Sequence, residues 1–149
     1  MTAPFIRSMR ATDAFAIASL MPSLGYEATE QEIVRRFTVL VERTDHEMLV
    51  AVLGTGIVGM ARVYGVRLMA SDGYAEIGAL VVADNHQRKG IGKQLIAASE
   101  RWAAGQGYQR VRLRSGAHRT DAHLFYEAAG YSKSRASFAF ERHLQAVDG

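Results

Sequence analysis

The stretch VVADNHQRKGIGKQLIAASERW, residues 81–102, changes character twice along its length. It begins as an apolar run typical of a buried strand, breaks at a polar corner that contains Gly90 and Gly92, and continues with apolar residues at helical spacing. A glycine-flanked helix start leaves backbone N–H groups unpaired, and the helix dipole favours an anion beside them. The stretch therefore predicts a strand, a tight corner and a helix whose first turn suits a phosphate or pyrophosphate.

These glycines have two competing interpretations, a plain structural corner and an anion site. Gln87 and the cations Arg88 and Lys89 stand directly before Gly90, and such cations add charge-assisted contacts to a bound oxyanion. G-x-G at a helix start is by itself a weak signal. The stretch completes neither G-x-x-x-x-G-K-[ST] nor G-x-G-x-x-G, which makes a nucleotide-binding domain the less favoured form of the anion-site hypothesis.

Length and composition limit the class of protein. The chain has 149 residues, 48% hydrophobic and 22% charged, which predicts one globular domain over residues 1–149. It contains no cysteine, so a disulfide framework, a thiolate zinc site and a catalytic thiol are excluded. The net charge of +3 with scattered basic residues predicts no nucleic-acid partner, and no apolar run reaches the roughly 20 residues of a membrane span. We therefore expect a cytoplasmic protein with no membrane partner.

The segments on either side of the stretch predict a mixed sheet. Apolar patterns and turn residues indicate the order β-α-α-β-β-β-α-β-α-β, from a strand at residues 5–9 to a closing strand at residues 136–144. Thr29 and Glu32 have capping-box spacing at the start of the second helix, and Gly-Thr-Gly at residues 54–56 is typical of a hairpin turn. The predicted fold class is therefore α/β, an α+β mixed sheet with antiparallel hairpins and one right-handed β-α-β crossover.

Two motifs in this order resemble those of a known family. Gln87, Gly90 and Gly92 match the pattern [Q/R]-x-x-G-x-[G/A] after a strand, and LFYEAAGY, residues 124–131, is similar to F-Y-x-x-x-G-[F/Y]. Both are motifs of the GCN5-related N-acetyltransferases, the GNAT superfamily, and the element order is similar over nearly the whole chain. The resemblance implies a GNAT-like acyl-CoA N-acyltransferase fold that uses acetyl-CoA as co-substrate.

The resemblance also implies which residues bind acetyl-CoA. In the family, amides of the first motif hold the coenzyme pyrophosphate, and backbone groups of the preceding strand hydrogen-bond the pantetheine arm. Arg119 stands where family members often carry asparagine, and we expect it to pair with a coenzyme phosphate instead. The predicted coenzyme-binding residues are Leu80, Val81, Val82, Gln87, Arg88, Lys89, Gly90, Ile91, Gly92, Lys93, Arg119 and Phe125.

Glu76 and Tyr126 are the predicted catalytic residues. Acetyl transfer from a thioester to an amine needs a base for the ammonium, whose pKa is about 10.4, and an acid for the leaving thiolate. Glu76 lies in an otherwise apolar strand eleven residues before Gln87, where some similar acetyltransferases carry a general base; a strand-end glutamate paired with an arginine is the alternative. Tyr126 matches the family's general-acid tyrosine, and an aromatic packed into the core is the alternative.

The acceptor is placed by the family comparison near the loop LGYEAT, residues 24–29, and the next strands. We therefore predict Tyr26, Glu27 and Tyr64 as substrate residues, with a merely solvated loop as an equal alternative. The five histidines show no H-x-x-x-H spacing and no carboxylate at ligand spacing, which predicts no metal site. They are His46, His86, His118, His123 and His143.

These residues together predict an acetyl-CoA-dependent N-acetyltransferase. We expect direct transfer, without an acyl-enzyme, to a primary amine of a small molecule: an amino acid, a polyamine, an aminoglycoside or an aminoalkylphosphonate-like compound. A non-catalytic acyl-CoA-binding sensor and a protein or peptide N-acetyltransferase are the alternatives. An edge strand near the C-terminus leaves a homodimer open.

Overall fold

The structure, a computed structural model, describes residues 3–115 and 119–145. The chain folds as two compact units, Met1–Arg114 and Ser115–Gly149. His118, one of the five histidines, lies outside the described residues.

The larger unit contains a five-stranded sheet in the order β1-β2-β3-β4-β5. Strands β1 to β4 pair antiparallel, and β5 pairs parallel with β4 after a crossover through α3, which confirms the predicted mixed sheet. Short 3₁₀ turns lie at Ala11–Asp13, Met21–Leu24 and Asp84–His86. The helices and strands are β1 (Phe5–Ser8), α1 (Ala14–Leu20), α2 (Glu30–Val41), β2 (His46–Leu53), β3 (Gly56–Val66), β4 (Tyr74–Val82), α3 (Ile91–Gly105) and β5 (Val111–Leu113).

Two local signals in the sequence have the predicted effect. The amide of Glu32 donates to Thr29 Oγ1 at 3.1 Å, and the amide of Thr29 donates to Glu32 Oε1 at 3.0 Å, so a capping box starts α2. Gly54, with a φ of +64°, occupies the turn between β2 and β3, where a left-handed backbone matches the twist of the hairpin.

Helices cover both faces of this sheet and form two apolar clusters. On one face, α1 and α2 pack against strand residues; this cluster contains Ala14, Ile17, Leu20, Ile33, Val50, Val52, Met60 and Val81. On the other face, α3 packs against the sheet; this cluster contains Leu49, Ala51, Val58, Ala61, Ile91 and Leu95. Burial of both faces explains why the central strands are nearly continuous apolar runs.

A β-bulge interrupts β4 at Gly78. Arg62 of β3 pairs with Ala79, but its neighbour Val63 pairs with Ile77, which leaves Gly78 as the extra residue. A Cβ at Gly78 would lie 2.6 Å from Cε1 of the Tyr64 ring. Glycine therefore lets the Tyr64 ring lie directly against the β4 backbone.

The edge of β4 that faces away from β3 has a strand partner only up to this bulge. β5 pairs with β4 only over Ala75, Glu76 and Ile77. From Gly78 to Val82, the edge of β4 that faces away from β3 has no strand partner in the described ranges. Backbone groups at this edge are therefore left for another acceptor or donor.

The smaller unit contains α4 (Thr120–Ala128), which ends before Gly130 at a φ of +98°. The predicted closing strand at residues 136–144 is wrong, because residues 131–145 contain neither helix nor strand. Phe138 and Phe140 are 90% and 96% exposed. Alternating apolar residues indicate a tendency to form a strand, but a strand forms only where a neighbour supplies hydrogen bonds.

Candidate active site

The start of α3 is built to expose backbone N–H groups. Gly90, the residue before α3, has a left-handed backbone with a φ of +80°, and no described side chain caps the helix. The amide of Gln94 donates to the Gly90 carbonyl at 3.1 Å, which is the first turn of the helix ladder. The amides of Ile91, Gly92 and Lys93 therefore have no intrahelical acceptor and lie at the positive end of the helix dipole. This arrangement favours an anion.

Polar side chains before Gly90 shape the same corner. Gln87 Nε2 donates to the Val82 carbonyl at 3.3 Å and to Asp84 Oδ1 at 3.4 Å, which holds the corner closed against the end of β4. Arg88 has a φ of +65°, a conformation that costs a residue with a side chain roughly 1 kcal/mol. The side chains of Arg88 and Lys89 are exposed, so both cations are available to a phosphate.

Leu80, Val81 and Val82, whose backbone groups are predicted to bind the pantetheine arm, lie on the part of β4 that does not pair with β5. Val81 is only 5% exposed and packs in the core, as does Ile91 at the start of α3. These two residues can therefore offer only backbone groups to a ligand. Leu80 and Val82 are partly buried against the α3 cluster. The structure thus brings the predicted residues 80–82 and 87–93 together as one strand edge and the corner that follows it.

Glu76 is held by donors on both carboxylate oxygens. It lies directly opposite Tyr64 in the pairing of β3 with β4, and Tyr64 Oη donates to Glu76 Oε2 at 2.5 Å. Arg114 Nε donates to Glu76 Oε1 at 3.4 Å. The Glu76 side chain is 12% exposed. The carboxylate is thus largely shielded from solvent and is oriented by two neighbours.

Tyr64 is a proton donor at neutral pH. Burial and, next, the hydrogen bond to Glu76 raise the pKa of Tyr64 to about 12. The hydrogen bond to Glu76 also raises the pKa of the Arg114 guanidinium. Because both groups keep their protons, both continue to donate to the Glu76 carboxylate across the neutral range.

Arg114 was missed by sequence reasoning, whereas Tyr64 was predicted as a substrate residue. The signal for Arg114 was present in YQRVRLRS, residues 108–115, where arginines alternate with apolar residues. Alternation places Arg110, Arg112 and Arg114 on one face of β5 and its flanks. Only the register of β5 against β4 shows that this is the face of Glu76.

The loop that carries Tyr26 and Glu27 is attached to the corner after β4. Ser23 Oγ donates to Asp84 Oδ1 at 3.1 Å, which joins the 3₁₀ turn before the loop to the segment after β4. The amide of Tyr26 donates to the Met21 carbonyl at 3.1 Å. Tyr26 is 68% exposed and Glu27 is exposed, so both side chains are free to meet a ligand.

The remaining predicted residues, Arg119, Phe125 and Tyr126, lie in the smaller unit. The Phe125 and Tyr126 rings pack edge to face with centroids 5.5 Å apart. Burial raises the pKa of Tyr126, and the positive charge of Arg119 opposes that shift. Arg119 is exposed at the position before α4. Their roles in coenzyme binding and catalysis stay predictions.

The residues that the structure describes contain neither a cluster of side chains that could bind a metal ion nor a helix that could span a membrane. The His, Asp and Glu side chains among them form no group of three or more that could hold a metal ion. No helix in these ranges combines the length and apolar character needed to cross a membrane.

A family model described as Acetyltransferase (GNAT) family matches residues 13–131. The chain belongs to the GNAT acetyltransferase family. The predicted family, fold and enzyme class, an N-acetyltransferase, are therefore confirmed. No curated protein matches this GNAT chain.

Solved structures show the same fold at low sequence identity. A transcriptional regulator from Bacillus halodurans C-125 superposes on this GNAT chain with a TM-score of 0.85 and 24% identity, over 94% of this chain and 100% of that one. The aminoglycoside N-acetyltransferase AAC(6')-Iy in complex with CoA has a TM-score of 0.85 and 16% identity, over 97% of each chain. The aminoglycoside acetyltransferase meta-AAC0020 from an uncultured soil metagenomic sample, in complex with sisomicin, has a TM-score of 0.77 and 21% identity, over 95% and 97% of the two chains.

Proposed function

We propose that this protein transfers an acetyl group from acetyl-CoA directly to a primary amine of a small molecule. The proposal rests on two adjacent features. The start of α3 after Gly90 has no side-chain cap, and residues 78–82 of β4, which lead into this corner, have no strand partner on their outer edge among the described residues. A pyrophosphate fits the first feature and an amide-bearing arm fits the second. Structural neighbours that bind CoA or sisomicin support a small-molecule acetyltransferase.

The coenzyme would be held mainly by backbone. The amides of Ile91, Gly92 and Lys93 would bind pyrophosphate oxygens, and exposed Arg88 and Lys89 would add charge. Backbone groups of residues 80–82 would hydrogen-bond the pantetheine arm along the outer edge of β4. We propose Arg119 as a further phosphate contact and Phe125 as part of the wall of the coenzyme site.

The transfer would proceed by direct attack. The amine nitrogen forms a bond to the thioester carbonyl carbon, the carbon–sulfur bond breaks, and the products are an N-acetyl amide and CoA. One proton of the ammonium passes to Glu76, directly or through water, and the departing thiolate receives a proton from Tyr126. The second proton that the nitrogen loses as the amide forms then returns to the Tyr126 phenolate. The absence of cysteine in the chain agrees with transfer that has no thioester-linked enzyme intermediate.

The contacts of Glu76 support a role in catalysis as well as in structure. Tyr64 and Arg114 each occupy one carboxylate oxygen, yet the side chain keeps 12% of its surface accessible. A carboxylate fixed in this way can accept a proton along a defined direction. A purely structural ion pair with Arg114 is the alternative, and it predicts a loss of stability without a specific loss of turnover.

The test is release of CoA thiol from acetyl-CoA in the presence of a panel of amines. We expect amine-dependent thiol release, and Tyr126→Phe should lower kcat about 10-fold or more while acetyl-CoA affinity stays unchanged. Saturable acetyl-CoA binding with no thiol release for any amine would favour the acyl-CoA sensor. Equal kcat in Tyr126→Phe would remove Tyr126 as the acid.

A further inference from the structure

Side chains on one face of the sheet surround Glu76 with positive charge. Alternation along β3 puts Arg62 on the face that carries Tyr64, and the parallel register puts Arg112 directly beside Glu76. The same face carries α1 and α2, because Met60 of their cluster precedes Arg62 in this alternation. We call the four cations that this face carries on β3 and on β5 with its flanks the arginine face; its members are Arg62, Arg110, Arg112 and Arg114.

Tyrosine rings hold three of these guanidinium groups. The Arg62 Cζ lies 4.5 Å from the centroid of the Tyr64 ring. The Cζ atoms of Arg112 and Arg110 lie 4.4 and 5.4 Å from the centroid of the Tyr74 ring. A guanidinium stacked on an aromatic ring loses side-chain freedom but keeps its N–H edge for a planar or tetrahedral oxyanion.

The charge of the arginine face is not balanced by carboxylates. In residues 3–115 and 119–145, only Arg114 of this cluster forms an ion pair, with Glu76. Arg62 Nε is buried, and the described residues supply no hydrogen-bond acceptor for it. Burial also lowers the pKa of the Arg62 guanidinium, because the charged form loses solvation there. A buried charged donor without a partner indicates that an acceptor is missing from the site.

We infer that the amine acceptor carries an oxyanion, a carboxylate, phosphate or phosphonate, which binds the arginine face while its amino group approaches Glu76. This inference rests on the proposed acetyl transfer. Arginine is the residue best matched to such groups, because its fork of N–H donors binds two oxygens at once. A polycationic amine would instead meet repulsion from three unpaired guanidinium groups.

Matched pairs of acceptors test the inference. β-Alanine is compared with β-alaninamide, and 2-aminoethylphosphonate with its diethyl ester, at equal concentrations of free amine; spermidine and kanamycin represent polycations. We expect kcat/KM at least about 10-fold higher for the anionic member of one or both pairs, and the pair that responds identifies the oxyanion. Equal values within both pairs, or preference for a polycation, would overturn the inference.

Substitutions of the arginines test whether the oxyanion of the acceptor binds the arginine face. Arg62→Gln and Arg112→Gln should each raise KM for the preferred anionic acceptor about 10-fold, with kcat and the KM for acetyl-CoA little changed. Arg62→Lys should recover part of the loss, and the matched control is Arg101→Gln on the opposite face of the sheet, in α3, where the residue is exposed. A rise in KM for acetyl-CoA instead of the acceptor would assign the arginine face to the coenzyme and overturn the inference.

Binding without turnover separates this inference from the proposed function. The same acceptor pairs are titrated calorimetrically into protein saturated with CoA. Binding of the anionic members only, lost in Arg62→Gln, supports the inference even where no amine is acetylated and the proposed acetyl transfer has failed. Acetylation of charged and uncharged amines alike, with no selective binding, keeps the acetyl transfer and overturns the inference.

Discussion

The two ends of β4 have different neighbours. From Ala75 to Ile77 the strand lies between β3 and β5, and its Glu76 carboxylate is bound by Tyr64 and by Arg114, which follows β5. From Leu80 to Val82 it pairs only with β3 and leads into the corner at Gly90. The first end presents charged side chains and the second presents backbone. One strand thus joins a proposed chemical centre to a proposed coenzyme site.

Gly78 lies between the part of β4 that pairs with both β3 and β5 and the part that pairs only with β3. The bulge shifts the register by one residue, and the bare backbone makes room for the ring that orients Glu76. A bulge re-aims the side chains that follow it, so the proposed base and the proposed coenzyme edge are positioned by the same irregularity. Substitutions at Glu76 and Gly90 therefore separate the two ends.

Glu76→Gln should have the largest effect. Glutamine keeps the shape but cannot take the ammonium proton, so kcat should fall about 100-fold or more while acetyl-CoA affinity stays unchanged. Steady-state kinetics and calorimetric titration measure the two quantities, with Glu42→Gln at the end of α2 as the control. A kcat within a few-fold of the unsubstituted protein would mean that the first end of β4 is structural.

Gly90→Ala should act on the other end alone. Alanine disfavours a φ of +80° by roughly 1–2 kcal/mol, so the corner should open and acetyl-CoA affinity should fall about 10-fold. Gly107→Ala is a matched control, because Gly107 also has a positive φ and open space around it but lies after α3. Equal losses of affinity in both variants would show that general destabilisation, and not the corner, is responsible.

Gly78→Ala should affect the first end of β4, through the Tyr64 ring. The new Cβ displaces the Tyr64 ring, which should cost about 1–3 kcal/mol in the free energy of unfolding and lower kcat through the loss of the bond to Glu76. Urea unfolding and kinetics measure these changes. Gly105→Ala, in a helix with open space around it, should be neutral or slightly stabilising. Full activity in Gly78→Ala would refute the link between the bulge and Glu76.

Tyr64→Phe should have the smallest effect on stability, and because it removes the hydrogen bond to Glu76 that Gly78→Ala disturbs, it should lower kcat as well. Burial and the bond to Glu76 raise the pKa of Tyr64 to about 12 from an ordinary value of about 10. Its stabilising contribution is therefore complete below about pH 10 and is lost as the pH rises through about 12. The variant should be about 1 kcal/mol less stable at neutral pH, and the difference should shrink above pH 10.

Urea unfolding at about pH 8, 10 and 11 measures that difference. The control is Tyr26→Phe, whose side chain is 68% exposed and should show no such change. A difference between Tyr64→Phe and the unsubstituted protein that stays constant with pH would contradict the assigned hydrogen bond.

Apart from the mixed sheet and its crossover, the features that sequence reasoning predicted correctly are local ones. The strand, corner and helix of residues 81–102 and the capping box of Thr29 and Glu32 depend on residues a few positions apart. The bulge at Gly78 and the contact of Arg114 with Glu76 depend on the register of three strands, which no local pattern encodes. The strand predicted at residues 136–144 failed for the same reason, since pairing is not a local property.

The most direct test of the proposed coenzyme site is a calorimetric titration of the purified protein with acetyl-CoA, with ATP and NAD as controls in the same buffer. We expect saturable binding of acetyl-CoA, weaker or absent binding of the controls, and about a 10-fold loss of affinity in Gly90→Ala but not in Gly107→Ala. Folded protein that binds no acetyl-CoA, or binds ATP or NAD more tightly, would contradict this expectation.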